Sequence, residues 1–322
     1  MEVGEMITRL IMKRLLIIIF LIGGLELQAQ SFYRYRFEEP WSISAGIGPT
    51  QYFGELYSFW KYNEGIQPDY NANFAFNYIF GTHLKARGEF TYYQISGQDP
   101  PSDPRAFRTP RDLHFRARNW EVAGIVEYYW HPIKLNNITR HLWNPYIFFG
   151  VGMSTNNPQA RLDKNDNTSW VDLRPYQLEN NPYEKYIIVF PMGLGFKYKL
   201  NVYMDFKFEG NYRYTLTDYM DDISAYNVSE FYLDLVEDYV NGTNPDRLRL
   251  AIRNPSFLLD NGEPDVQKIL DNRGRIRRGS GLTHRYDGYL TFNAGVEIFL
   301  SRDIFDNWIF RNRIYEKRFR FW

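Results

Sequence analysis

The chain contains no cysteine. That excludes disulfide staples, thiolate zinc sites and thiol catalysis together. It also lacks net charge: Lys+Arg and Asp+Glu balance at 38 each, so no global field recruits nucleic acid. Beyond residues 1–30 there is no long apolar run, and the mean hydropathy is −0.49, which excludes a helical membrane protein. The usual catalytic signatures are missing too: there is no G-x-S-x-G, no H-E-x-x-H and no P-loop. The five histidines, at positions 83, 114, 131, 141 and 284, are scattered. No pattern calls for a cofactor.

Aromatic residues, by contrast, are abundant. They make up 18% of the chain, with 26 Tyr and 25 Phe, and that enrichment needs a reason. The N-terminus supplies a first clue. Met12-Lys13-Arg14 is a basic start, Leu15 to Ile22 (LLIIIFLI) is an apolar run, and Leu27-Gln28-Ala29 offers a small residue before a cut near Ala29 or Gln30. This is the pattern of a secretory signal peptide over residues 1–30, with a membrane anchor as the competing reading. An exported, aromatic-rich chain without apolar helices suggests an outer-membrane β-barrel, whose alternating strands average out to a polar hydropathy.

The test is period two. WSISAGIG from Trp41 sets Trp41, Ile43, Ala45 and Ile47 against serines and glycines. The same alternation runs through 72–80, 83–93, 120–130, 146–153, 186–198, 202–214 and 288–299. Each segment is about as long as a tilted strand needs to cross a bilayer. The links between them differ in length. Those near 81–82, 131–143 and 199–201 are short, that near 54–67 is intermediate, and those at 97–117, 154–185 and 215–286 are long. Short turns at one end and long loops at the other are the habit of outer-membrane barrels. The expected fold is therefore all-β: an eight-stranded antiparallel transmembrane β-barrel over residues 31–300, with long extracellular loops. Residues 301–322 are a basic, aromatic periplasmic tail, either a docking or membrane-surface segment or a loose end. Trp41, Tyr92, Trp130, Tyr146, Tyr198 and Tyr214, near strand ends, suit the two aromatic girdles.

The charged face must then be the lumen, because lipid penalises a midplane Lys or Arg by about 2–4 kcal/mol. That face carries His83, Lys85, Arg87, Glu89, Glu121, Glu127, Asp205, Lys207, Glu209, Arg213 and Glu297. Eight strands leave an interior just wide enough for side chains, so these residues are expected to form a salt-bridged plug rather than line a pore. Gly46/Gly48, Gly150/Gly152 and Gly193/Gly195 share the inward face, where they would leave room for long charged chains. None completes a dinucleotide fingerprint.

Candidate chemistry is sparse. TDYMDDIS, residues 217–224, places Asp218, Asp221 and Asp222 within five positions. They are weak candidates for a rim metal; the alternative is a structural loop entry, since calcium wants six or more oxygens. Asp163, Asn165 and Asn167 imitate the start of a calcium loop, but Thr168 replaces the required Gly and Arg174 the bidentate Glu. Arg273, Arg275, Arg277 and Arg278 form a basic cluster in the longest loop, either a partner for lipid phosphates or a solvated run.

Six stretches then occur in order: YFGELY (52–57), RDLHFRARNWEVAG (111–124), NPYIFFGVG (144–152), WVDLRPYQLE (170–179), FPMGLGFKYKLN (190–201) and YRYTLTDYMDDIS (212–224). Together they resemble the PorG-like outer-membrane barrels of Bacteroidota, components of the type IX secretion and gliding-linked machinery, over about residues 40–299. The 225–285 insertion and the basic tail depart from that family. The resemblance implies a non-enzymatic barrel in the outer membrane. Its partners would be outer-membrane lipids and periplasmic secretion-ring proteins including a lipoprotein, and not nucleic acid. A generic structural barrel, a small porin and a barrel enzyme are the alternatives.

Overall fold

The computed structural model describes residues 40–56, 69–99, 111–133, 141–163, 168–201, 203–224, 232–272, 276, 278–279 and 286–300. The signal segment and the C-terminal tail lie outside these. Eight long strands dominate: β1 (Trp41–Phe53), β2 (Asp69–Ile79), β3 (Leu84–Gln98), β4 (His114–Tyr129), β5 (Trp143–Thr155), β8 (Tyr186–Lys199), β9 (Met204–Thr215) and β10 (Gly288–Phe299). Two short strands, β6 (Pro158–Arg161) and β7 (Trp170–Asp172), lie between β5 and β8.

Each long strand pairs antiparallel with its neighbours, in the order β3-β2-β1-β10-β9-β8-β5-β4. The β3–β4 ladder, from Leu84↔Tyr128 to Gln98↔His114, joins the two ends. The sheet is thus a closed eight-stranded antiparallel barrel, and closure removes the unpaired edges that lipid cannot tolerate. Alternation is the cause of the two faces. In β4, buried Glu121, Ala123, Ile125, Glu127 and Tyr129 alternate with outward Trp120, Val122, Gly124, Val126 and Tyr128.

The outward face is apolar. Ile47, Phe76, Val122, Phe149, Val151, Ile188, Leu194 and Phe208 are all exposed. Trp120 on β4 and Trp130 just past its end stand ten residues apart, which for a tilted strand is roughly the 25 Å height of a membrane belt. Such a surface has no place in water; it faces lipid.

The two ends differ as the link lengths predict. At one end, residues 80–83, 130–142 and 200–203 make the connections; at the other, 54–68, 99–113, 156–185 and 216–287 do. The long links build structure of their own. β6 adds to the outer end of β4 through Ala117↔Pro158 and Arg116↔Gln159, and β7 pairs with β6. The last link forms three helices, α1 (Tyr232–Asn241), α2 (Pro245–Ala251) and α3 (Val266–Asp271). Pro245 opens α2, where its missing N–H costs nothing. Asp265 caps α3 by accepting from the Lys268 backbone N–H at 3.1 Å. Leu235, Val236, Leu248, Leu250, Ile252 and Ile269 bury a separate small core with Ala160, Leu173 and Leu178 from the β5–β8 link. The described parts of the β5–β8 and β9–β10 links are therefore a packed outer cap. That the 225–285 insertion would fold was not legible as period two, because its apolar residues follow helical spacing.

Candidate functional site

Inward positions of facing strands bring the predicted charges together. Lys85 on β3 reaches Glu127 on β4 at 2.8 Å and Glu297 on β10 at 3.1 Å. Arg87, one pleat higher, reaches Glu209 at 2.6 Å, Glu127 at 2.8 Å and Glu89 at 3.3 Å. Lys207 bonds Glu209 at 3.1 Å. Arg213 on β9 binds Glu121 at 2.9 Å and Glu89 at 3.1 Å, and donates to the Thr291 hydroxyl at 2.6 Å. All of these side chains are at most 7% exposed. Asp205 is buried at the short-turn end.

Sequence reasoning missed several members. Lys197 pairs with Glu297; it shares the inward face, and its alternation with Phe196 and Tyr198 was the available signal. Buried hydroxyls complete the network: Tyr129 donates to Glu127 at 2.6 Å, Tyr146 to Glu209 at 2.7 Å, Ser42 to Glu297 at 2.5 Å, and Tyr289 to Glu121. Tyr146 is thus a lumen residue, not a girdle residue. Its neighbours Ile147 and Phe149 point out, so Tyr146 must point in.

Two other expectations are corrected. His83 lies in the turn before β3, and its ring stacks on that of Tyr128, 5.8 Å away on the outward face. It therefore stands outside the lumen network; the strand starts one residue later than the alternation suggested. The inward glycines make room for other groups than the charged chains. A Cβ on Gly195 would lie 2.1 Å from the Tyr146 ring, and one on Gly193 would lie 2.7 Å from the Phe148 ring.

The outer mouth is filled differently. Tyr52, Tyr93, Ile95, Phe115, Ile187 and Val189 line it from the strands. Met220 and Ile223, at most 1% exposed, enter it from the loop that follows β9. They belong to TDYMDDIS, so that stretch is a stopper whose apolar pair drops into the barrel. Its three carboxylates diverge around it. Asp218 accepts from the Ser224 hydroxyl at 3.0 Å. Asp221 accepts from the Ile223 backbone N–H at 3.0 Å. Asp222, in a left-handed conformation that Asp tolerates (φ 65°), accepts from Tyr183 at 2.7 Å and Arg278 at 3.1 Å. No group of three potential metal ligands converges among the described residues. Asp287, just before β10, fixes the stopper, accepting from the Met220 N–H and from the Tyr52 hydroxyl, both at 2.9 Å.

Burial in this mouth holds the Asp221 and Asp287 carboxyls well above the usual range, and for Asp287 the nearby Asp221 adds to it. Glu179, which accepts from the Ser224 N–H at 3.2 Å, is pushed up to about 7 by burial, with Arg278 opposing. Arg278 is itself buried between Asp222 and Glu179, so it is no solvated loop charge. Arg273, Arg275 and Arg277 lie outside the described residues.

Among the described residues the lumen is filled by these buried side chains. The cleft at the short-turn mouth, lined by Lys85, Tyr129, His141, Lys197 and Asp205 among others, has about 30 Å³. That admits water but no solute. Closed ladder, apolar belt and asymmetric ends together decide the class. The chain is an outer-membrane β-barrel. Among solved structures it is similar to Neisserial surface protein A (NspA), at 10% identity over 81% of this chain and 97% of that one, with a TM-score of 0.38. It is also similar to the N-terminal β-barrel domain of Pseudomonas aeruginosa OprF (10% identity, 81% and 98% coverage, TM-score 0.34) and to the outer membrane protein OprG from the same organism (11%, 83% and 99%, 0.35). These superpositions are loose, and the class rests on the ladder and the belt. No protein-family model and no curated protein matches the chain.

Proposed function

We propose that this barrel is a non-enzymatic, non-conducting anchor in the outer membrane, and that what it anchors is the periplasmic ring of a type IX secretion machinery, including a ring lipoprotein. The observation that carries the anchor reading is the filled lumen. Five buried cations (Lys85, Arg87, Lys197, Lys207, Arg213) interlock with carboxylates from facing strands, and a loop stopper closes the outer mouth. A barrel plugged twice offers its outer wall and its two ends, not a path. Supporting the secretion reading are the six ordered stretches of the sequence. These stretches carry plug residues: YFGELY carries Tyr52, RDLHFRARNWEVAG Glu121, NPYIFFGVG Tyr146, FPMGLGFKYKLN Lys197, and YRYTLTDYMDDIS Arg213, Met220 and Ile223.

The test is affinity capture of the native complex after crosslinking from the periplasmic side, together with cargo export in a deletion strain. Recovery of ring proteins and loss of export are expected. Capture of no periplasmic partner, with export intact, would leave a structural barrel without a secretion role. A small porin would instead conduct in planar bilayers, where this lumen is expected to stay silent.

A further inference from the structure

The outward positions of the eight long strands carry charge at two places only, among the described residues. Both are arginines, Arg116 and Arg118, and both stand at the long-loop end of β4. Apart from His114, next to Arg116 at the same end of β4, where it stacks edge-on against Trp170 and accepts from the Arg161 backbone N–H, every other outward position on these strands is apolar, aromatic, Gly, Pro, Ser, Thr or Gln. Two charges placed on an otherwise uncharged wall need an explanation.

Their height supplies one. Directly below them on β4 is Trp120, packed on Tyr92 with ring centroids 4.5 Å apart; Tyr92 in turn lies 6.2 Å from Tyr70. These rings form the upper girdle. Arg118 and Arg116 follow two and four residues above Trp120, roughly 5 and 10 Å higher along a tilted strand. That is the level of the headgroups in the outer leaflet.

Their partners supply another. The Arg116 guanidinium lies 3.8 Å over the Trp170 ring, and Arg161 lies 5.5 Å from the same ring. So a third cation from β6 is held beside the pair. The neighbouring carboxylates are engaged at one remove. Asp69 accepts from the Gln94 amide at 2.9 Å and the Ser96 hydroxyl at 2.8 Å, and Arg118 donates to the oxygen of that same Gln94 at 3.0 Å. Asp172 accepts from the Gln159 amide at 2.7 Å, and Arg116 donates to that glutamine's oxygen at 3.3 Å. No carboxylate of the described residues lies within ion-pair distance of Arg116 or Arg118. The buried Nε of Arg116 meets no acceptor. The Arg116 and Arg118 forks are oriented by amides and an indole, and no carboxylate of the described residues neutralises them.

A guanidinium fork fits a phosphate by two parallel N–H···O bonds. We propose that Arg116 and Arg118, with Arg161 and Trp170 beside them, bind the phosphate of an outer-leaflet lipid headgroup. This rests on the outer-membrane class of the barrel and not on its secretion role. A lipid is favoured over a soluble anion by position: the site is on the bilayer side of the wall, stacked on the girdle, and away from the mouth. The three cations then fix the height of the barrel in the leaflet beneath its cap.

The experiment is native mass spectrometry of the detergent-solubilised full-length protein, titrated with bisphosphorylated lipid A, with its dephosphorylated form, and with inorganic phosphate. Wild type is expected to retain the phosphorylated lipid about tenfold better than Arg116→Gln/Arg118→Gln, which is near the 1.4 kcal/mol that separates one decade of affinity. It should retain the dephosphorylated lipid no better than that variant does, and millimolar inorganic phosphate should leave the lipid bound. Equal retention by wild type and the double variant, or equal retention of both lipids, would overturn the proposal. Displacement by inorganic phosphate would overturn the lipid assignment in favour of a free-anion site. Heat-modifiable gel mobility checks folding. If the double variant does not fold, exposed Arg118→Gln alone should still lower retention severalfold, and no change in it would sink the idea. Arg116→Lys/Arg118→Lys, which keeps charge but loses the fork, should fall between wild type and the glutamine variant; lysines that bind like wild type would remove the fork from the account.

Discussion

Arg87 and Tyr52 both point into the same barrel and both are fully buried, yet they stand in opposite surroundings. Around Arg87 three carboxylates and two lysines interlock, each contributed by a strand whose register is fixed by the ladder. Around Tyr52 the neighbours are apolar, and two carboxylates, Asp221 and Asp287, lie deep among them. The lower lumen matches charge with charge. In the outer mouth, burial instead raises the Asp221 and Asp287 carboxyls well above the usual range. The first arrangement is pinned by the strands; the second depends on one loop. A barrel with two plugs of different chemistry can keep its lower seal while its cap responds to the outside.

The largest break in that contrast is expected at Arg87. Arg87→Met should destabilise the barrel by about 3–5 kcal/mol, the usual cost of leaving buried charges uncompensated. The urea midpoint of heat-modifiable mobility in detergent would show it. Adding Glu127→Gln or Glu209→Gln should recover part of the loss, since the penalty lies in the stranded carboxylates and not in the missing contact. If the single change cost less than about 1 kcal/mol, the lower lumen would be wet, and the description of it as a dry plug would be wrong.

The outer seal should break more gently. Met220→Ala removes a fully buried side chain from the mouth and should cost about 2–4 kcal/mol, locally, by opening a cavity. Hydrogen exchange over 216–224 should rise while the strand amides around Arg87 stay protected. Global unfolding would mean the two plugs are one cooperative unit.

Next comes the proton dependence of the cap. The Glu179 carboxyl is raised to about 7 in the folded cap, against an ordinary value near 4.5. A raised acid keeps its proton in the closed state longer than in the open one. The Glu179 contribution to cap stability is therefore full below pH 4.5, is lost as pH rises towards 7, and flattens above that. After division by the intrinsic amide exchange rates, protection at the stopper should be lower at pH 8 than at pH 5, and Glu179→Gln should remove most of that slope. A slope of the opposite sign would place Glu179 in a stable ion pair with Arg278 instead.

Much of this division was legible in the residues, and the parts that were not have physical reasons. Period two located all eight strands and most of the inward charges, because a strand has a fixed face and lipid admits no alternative. The ends were less secure. The alternation continues past the belt into β3 and β4, reaching Gln98 and His114, and nothing in the pattern marks where lipid stops. Tyr146 was assigned to a girdle by residue type although the parity of Ile147 already turned it inward. TDYMDDIS offered three acids to the eye, and its working residues are Met220 among them and Ile223 just after. A short loop has no period, so which side chain enters the barrel depends on what the mouth leaves empty. The helical cap was hidden for the converse reason: its apolar spacing belongs to helices.

The smallest expected effect sharpens the boundary of the lower plug. His83 differs from the lumen charges by one turn residue: it precedes β3, and its ring lies along Tyr128, whose side chain is 49% exposed on the outer wall. Its backbone carbonyl accepts from the Tyr129 N–H at 2.8 Å, a bond any residue would keep. His83→Ala should therefore cost no more than about 0.5 kcal/mol, as surface substitutions do. The same change at Lys85, two residues on, leaves Glu127 and Glu297 facing each other and should cost several times more. Comparable losses at both positions would mean the turn is drawn into the lumen, and that the network extends one pleat further toward the periplasm than the ladder indicates.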